Sequence, residues 1–460
     1  MKSKLVVLTT GCLVWLMSSC LGDDTYSYEY EPARNCQISA FTLAHSSISE
    51  LSGVKFTIDQ LSGLIFNTDS LPYGTVLSNA VCTVTYANSS TVSSIQVIQK
   101  ASGDTIDWNG TDSLNFSQPV RFIVWAYDKS VSKTYDAQVN IHQIKPDTME
   151  WSLYATGLTQ QTMKEQTVIP YTSRTGEESY LLFGEPAGTD LPYRLYSAPI
   201  NNMSKWTEQS VTGLPAGQVL VSQIKEYEGI LYAPSTTGTL YRSDNGQEWF
   251  AVPDAPHVTG LIGGINEGEH QSSALATIIQ DNGTFRFSAM NKEMEWAVGD
   301  EVPTGFPLTG FGHENYYSMY HEYLMVVGGR TADNQLTNTT WATLDGRTWA
   351  LLTAENAHYF DRMEGVMIKE YDGKMYMVGG IDAAGNVSKA IYETVDRGVT
   401  WTKVNALIIL PDIYRGRGFG SIIVDKDQYL TIIGGKISYR GNVMQEIWRG
   451  RINRLSFGSE

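Results

Sequence analysis

The sequence predicts an all-β protein: a β-sandwich followed by a β-propeller of six blades, behind a secretion signal. Three observations carry this. Tryptophans recur after turns that begin with Asp or Asn, as in Asp244-Asn-Gly246-Gln-Glu-Trp249, at Trp206, Trp249, Trp296, Trp349 and Trp401, in steps of 43, 47, 53 and 52 residues. A period of roughly 40–50 residues in a β-rich chain marks stacked propeller units. Apolar strands ending in glycine pairs recur in the same frame: Leu324-Met-Val-Val-Gly328-Gly329, Met375-Tyr-Met-Val-Gly379-Gly380 and Tyr429-Leu-Thr-Ile-Ile-Gly434-Gly435. Ahead of the ladder, residues 36–145 hold short alternating runs separated by turn residues.

The N-terminus reads as an export segment, residues 1–19. Lys2 and Lys4 precede an apolar stretch, Leu5 to Leu16, shorter than the roughly 20 residues a spanning helix needs. Leu16-Met-Ser-Ser-Cys20 follows, with small residues leading into a Cys. This resembles a bacterial lipobox. The resemblance implies cleavage before Cys20, acylation of its sulfur and a lipid anchor in the cell envelope. An ordinary cleaved signal is the alternative. Asp23 and Asp24 are similar to the export tag of surface lipoproteins in Bacteroides-like bacteria, which implies an outer-membrane and possible surface location. Residues 20–35, rich in Tyr, Asp and Glu without an apolar period, read as a tether.

Between residues 36 and 145 the runs Ile38–Leu43, Val54–Ile58, Val81–Tyr86, Ser94–Ile98, Val120–Tyr127 and Tyr135–Ile141 predict an immunoglobulin-like sandwich. Another β-rich topology is the alternative. Lys145-Pro146-Asp147 marks the joint to the propeller, residues 146–460. Cys36 and Cys82 both lie in the first domain; a disulfide between them and two buried free thiols are both open. The propeller region contains no Cys, which excludes a Cys nucleophile or Cys-zinc site there.

Within the propeller, each glycine pair precedes a polar loop and a strand with an aromatic residue: Trp341, Tyr392 and Trp448. The pattern resembles Kelch-type propellers. The turns resemble Asp-boxes, and Thr394-Val-Asp396-Arg-Gly398-Val-Thr400-Trp401 fits the full motif. The whole layout resembles a Bacteroides-type lipoprotein family with an immunoglobulin-like domain and a propeller. The turns themselves have a scaffold role, since an Asp or Asn oxygen accepts backbone N–H groups and the Trp buries a large apolar area. Met149-Glu-Trp151-Ser-Leu-Tyr reads as an orphan outer strand that pairs with Ile447–Ile452 to complete the sixth blade.

Function is less legible. The formal charge of −16 disfavours nucleic acid as a partner. No cofactor is expected. The seven His show no metal spacing; His313 and His321 are eight apart, His257 and His270 thirteen. Polar segments near the innermost strands supply a candidate ligand site: His313, Arg330, Arg362, Glu364, Tyr414, Arg415 and Arg417. Arginines recognise carboxylates bidentately, and Tyr316, Tyr317, Tyr359 and Tyr414 offer sugar-stacking faces. A non-catalytic protein binding a glycan or a protein partner is the expected function. A sialidase-like enzyme is the alternative, using Arg362 and Arg415 with Tyr414, Glu364 and Asp361; a structural subunit of an outer-membrane complex is a third. A galactose-oxidase-like copper site fails for want of a propeller Cys.

Overall fold

The computed structural model describes residues 35–143, 145–188, 191–354 and 357–453. The export segment and Cys20 lie outside the described residues. The chain divides into two compact units, residues 1–145 and 146–460.

The described residues of the first unit form two sheets. Ile38–Ala44 pairs with Val81–Tyr86. The second sheet has six strands, in the order Phe56–Asp59, Leu64–Asn67, Ser132–Gln138, Val120–Ala126, Val92–Gln99 and Thr105–Asp107. Val120–Ala126 alternates buried and half-buried residues along its length. Period-two alternation puts Val120, Phe122, Val124 and Ala126 on the core face. Phe122 meets Phe41 and Trp108 edge-to-face, each with ring centroids 5.9 Å apart. The sheet is mixed, because Leu64–Asn67 runs parallel to Ser132–Gln138. Cys36 and Cys82 are both buried free thiols, the second of the two alternatives, and not a disulfide. Burial pushes the Cys82 thiol up to about 12, so it is a packing residue, not a reactive thiolate.

The described residues of the second unit form six four-stranded antiparallel sheets, here sheets 1 to 6. Their innermost strands are Met163–Thr172, Lys225–Tyr227, Val258–Ile265, Gly312–Ser318, Met367–Tyr371 and Gly418–Val424. Each innermost strand packs beside the next, and that of sheet 6 packs beside that of sheet 1, closing a ring. Sheet 6 is assembled from both ends of the unit: Met149–Thr156 pairs antiparallel with Glu446–Ile452, with Trp151 opposite Gly450. A side chain at Gly450 would run into the Trp151 ring. Pairing these two strands leaves no open edge between the unit's ends.

The tryptophan turns hold neighbouring sheets together. Trp249, Trp349 and Trp401 are buried. Trp249 packs edge-to-face on Phe183 of sheet 1 at 5.8 Å. Trp401 reaches sheet 4, its Nε1 donating to Thr340 Oγ1 at 3.0 Å. The turn glycines take positive φ and lie against the preceding sheet; a Cβ on Gly398 would stand 2.7 Å from Thr340 Cγ2. In the turn at Trp401, Asp396 accepts from Thr400 N at 2.9 Å and from the hydroxyls of Thr394 and Thr400. In the turn at Trp249 the acceptor is Asn245, from Gln247 N and Glu248 N, while Asp244 pairs with Arg174. The motif there starts one residue later than the sequence reading placed it.

Candidate functional site

The six innermost strands enclose a central channel with a cavity of about 410 Å3. All six contribute to its wall. Gly263 in this wall packs closely on Leu324, where a Cβ would stand 3.1 Å from Cδ1, and beside the His313 ring. The wall is polar, carrying Gln166, Thr167, Ser222, Gln223, Asn266, Asn315 and Ser421. Several of these also stitch strands. Asn315 Nδ2 donates to Gly264 O at 2.8 Å, and Gln223 Oε1 accepts from Leu261 N at 2.9 Å.

Four charged side chains line the channel. Lys369 Nζ lies 2.5 Å from Glu314 Oε1. Burial pushes the Glu314 carboxyl up, opposed by Lys369. Glu226 turns to its own hairpin, accepting from Gly229 N at 2.6 Å. Lys225 Nζ donates to the Ser222 carbonyl at 3.1 Å. Loss of hydration drives its ammonium down to about 8. His313 sits deep in the wall. Burial first, then the positive charges of Lys225 and Lys369, hold its imidazole well below the ordinary value. It is therefore neutral at pH 7 and offers one donor and one acceptor nitrogen.

Of the seven candidate ligand residues, only His313 lines this channel. It stands within an innermost strand, not in a loop before it. Glu364 and Arg330 do meet: Arg330 Nε donates to Glu364 Oε1 at 3.0 Å, and its NH1 donates to Asn334 O. Arg330 also lies over the Tyr439 ring. Tyr414 and Arg417 are buried framework. The Arg417 guanidinium lies 4.3 Å from the Tyr414 ring centroid, donates to Gly434 O and Arg415 O, and pairs with Glu446 at 3.0 Å. Burial pushes the Tyr414 hydroxyl up. Arg362 and Arg415 are exposed and belong to the segments leading into sheets 5 and 6. Tyr316 is also framework, stacked on Tyr323 at 5.1 Å.

Proximity to the innermost strands in sequence thus does not by itself put a side chain in the channel. Arg417 and Glu364 sit where a loop must dock on the neighbouring glycine pair: Gly380 N donates to Arg417 O, and Gly329 N to Met363 O. Lys225 and Lys369 were missed because a lone lysine in a strand carries no motif. Their signal was position: each falls in the first strand of its unit.

No curated protein matches the chain. A solved structure described as "Structure of YjhT" is similar over 63% of this chain and 95% of that one, at 13% identity and a TM-score of 0.46. Residues 145–460 match the DUF6242 beta propeller domain, and residues 36–139 match the N-terminal domain of the same family, a domain of unknown function. An all-β chain in which a mixed-sheet domain precedes a closed ring of sheets therefore belongs to the DUF6242 family.

Proposed function

We propose that this is a non-catalytic binding protein of the cell envelope, held by a lipid on Cys20, with an immunoglobulin-like spacer and a propeller that binds a glycan or partner through its channel. The observation that carries the reading is the division of polar groups. Of the residues suited to sialidase-like chemistry, Tyr414 and Glu364 are spent on interlocking sheets and Asp361, Arg362 and Arg415 are exposed outside the channel lining, while the channel wall holds preset donors and acceptors around an open space. Concave sites with a few fixed polar groups are the usual form of a ligand pocket.

A glycan array probed with soluble residues 24–460 is the direct test. Ser222 is exposed and lines the channel, so Ser222→Trp fills the channel and is expected to weaken any array signal by about tenfold or more. Hydrolysis of an arrayed glycan, abolished by Glu364→Ala or Tyr414→Phe, would show the protein to be an enzyme instead.

A further inference from the structure

Resting on the channel as the binding site, we propose that Lys225 seats the carboxylate of a small, singly charged, hydroxyl-rich ligand of the sugar-acid class. The charge inventory of the wall motivates this. Lys369 is neutralised by Glu314 at 2.5 Å. Glu226, adjacent to Lys225 and lining the same cavity, turns to its own hairpin and is occupied by Gly229 N. His313 is neutral. Lys225 remains, held only by a backbone carbonyl, with no carboxylate among the described residues acting on it. A half-buried ammonium without a counter-ion is costly, and the cost is relieved when an anion arrives. In a chain of net charge −16, such a cation inside the channel is the reverse of the surrounding field.

The same inventory selects the class of anion. One uncompensated positive charge matches a carboxylate; a doubly charged phosphate calls for a second free cation, and Lys369 is already paired. The rest of the wall is neutral and hydrogen-bonding. Thr167 and Ser421, both half-buried, line the same cavity. Ser222 presents an exposed hydroxyl beside Lys225. Such groups suit hydroxyls on the ligand. A cavity of about 410 Å3 falls within the range of small-ligand sites, roughly 300–1,000 Å3, and accommodates one or two sugar rings.

Titration calorimetry on the soluble mature chain, with D-glucuronate, D-glucose and glucose 6-phosphate, tests the proposal. Glucuronate is expected to bind about tenfold tighter than glucose. Lys225→Gln should remove that preference, and Lys225→Arg should retain it; the melting temperature of each variant checks folding. Raising the pH from 7 to 9.5 should weaken glucuronate selectively, because the ammonium titrates at about 8. The titratable groups lining the channel with it are Glu226 on its own strand, His313 from sheet 4 and the Lys369–Glu314 pair between sheets 4 and 5. Equal affinity for acid and neutral sugar, a preference for the phosphate, a preference unchanged in Lys225→Gln, or no binding of glucuronate each overturns the carboxylate assignment. Neutral-sugar binding that Ser222→Trp abolishes would leave the channel reading standing while this inference fails; array binding indifferent to Ser222→Trp removes both.

Discussion

His313 shows how one residue's surroundings set its chemistry. It is a strand residue enclosed by the channel wall and flanked by Lys225 and Lys369, all of which oppose protonation. Its folded pKa lies below the unfolded value of about 6.5. Below that pH the unfolded chain takes up a proton that the folded chain refuses, so stability falls as pH drops. Glu314 acts with the opposite sign, since its raised carboxyl binds protons more readily in the fold. The expected result is that His313→Gln flattens the decline in melting temperature between pH 7 and 5, measured by circular dichroism. An unchanged slope would mean the imidazole is not held neutral. At this scale the sequence was least informative. Arg362, Arg415, Arg417 and Tyr414 drew attention by type, but type does not say whether an arginine faces a ligand or a neighbouring carbonyl. Arg417 faces Gly434 O; only packing reveals it.

At the scale of the element, the glycine pairs and the tryptophan turns do one job: they let each sheet lie close to the next. Gly379 has φ +77, and a Cβ there would stand 2.2 Å from Arg417 O. Gly373, in the hairpin of the same sheet, has φ +72 and open space around its Cβ position. Gly373→Ala therefore meets only the left-handed backbone penalty, about 1 kcal/mol. Gly379→Ala adds a clash with backbone and is expected to cost at least about 3 kcal/mol. Denaturant titration of the two variants compares them directly; equal losses would refute the interlock. These elements were legible in advance because their signals are local. A positive φ needs Gly, a turn needs an Asx oxygen, and both recur at the blade period. The starting point of the turn at Trp249 was misread because Asp244 and Asn245 are adjacent and equally able to accept; the structure selects Asn245.

For the whole molecule, closure of the ring is the property that matters. Sheet 6 takes its outer strand from Met149–Thr156 and the other three from the end of the unit. In an edge strand, alternate N–H groups point to the partner and away from it. Ser152 and Leu153 stand opposite Arg449 and Trp448. Of the two variants Ser152→Pro and Leu153→Pro, one removes a ladder donor and the other does not. One is expected to lose about 3 kcal/mol and to expose an unpaired edge that self-associates, read by light scattering during chromatography; the other stays close to the parent. Matching behaviour in both would show that this strand does not hold the ring shut.

The sequence by itself determined the all-β class, the tryptophan and glycine period and the strand that closes sheet 6, because these follow from local backbone chemistry repeated at a fixed spacing. The tertiary structure decided which polar side chains line the channel. Lys225, Lys369 and His313 come from three different sheets, separated by tens of residues in the chain. Their convergence follows from the curvature of the ring, and no local pattern encodes it.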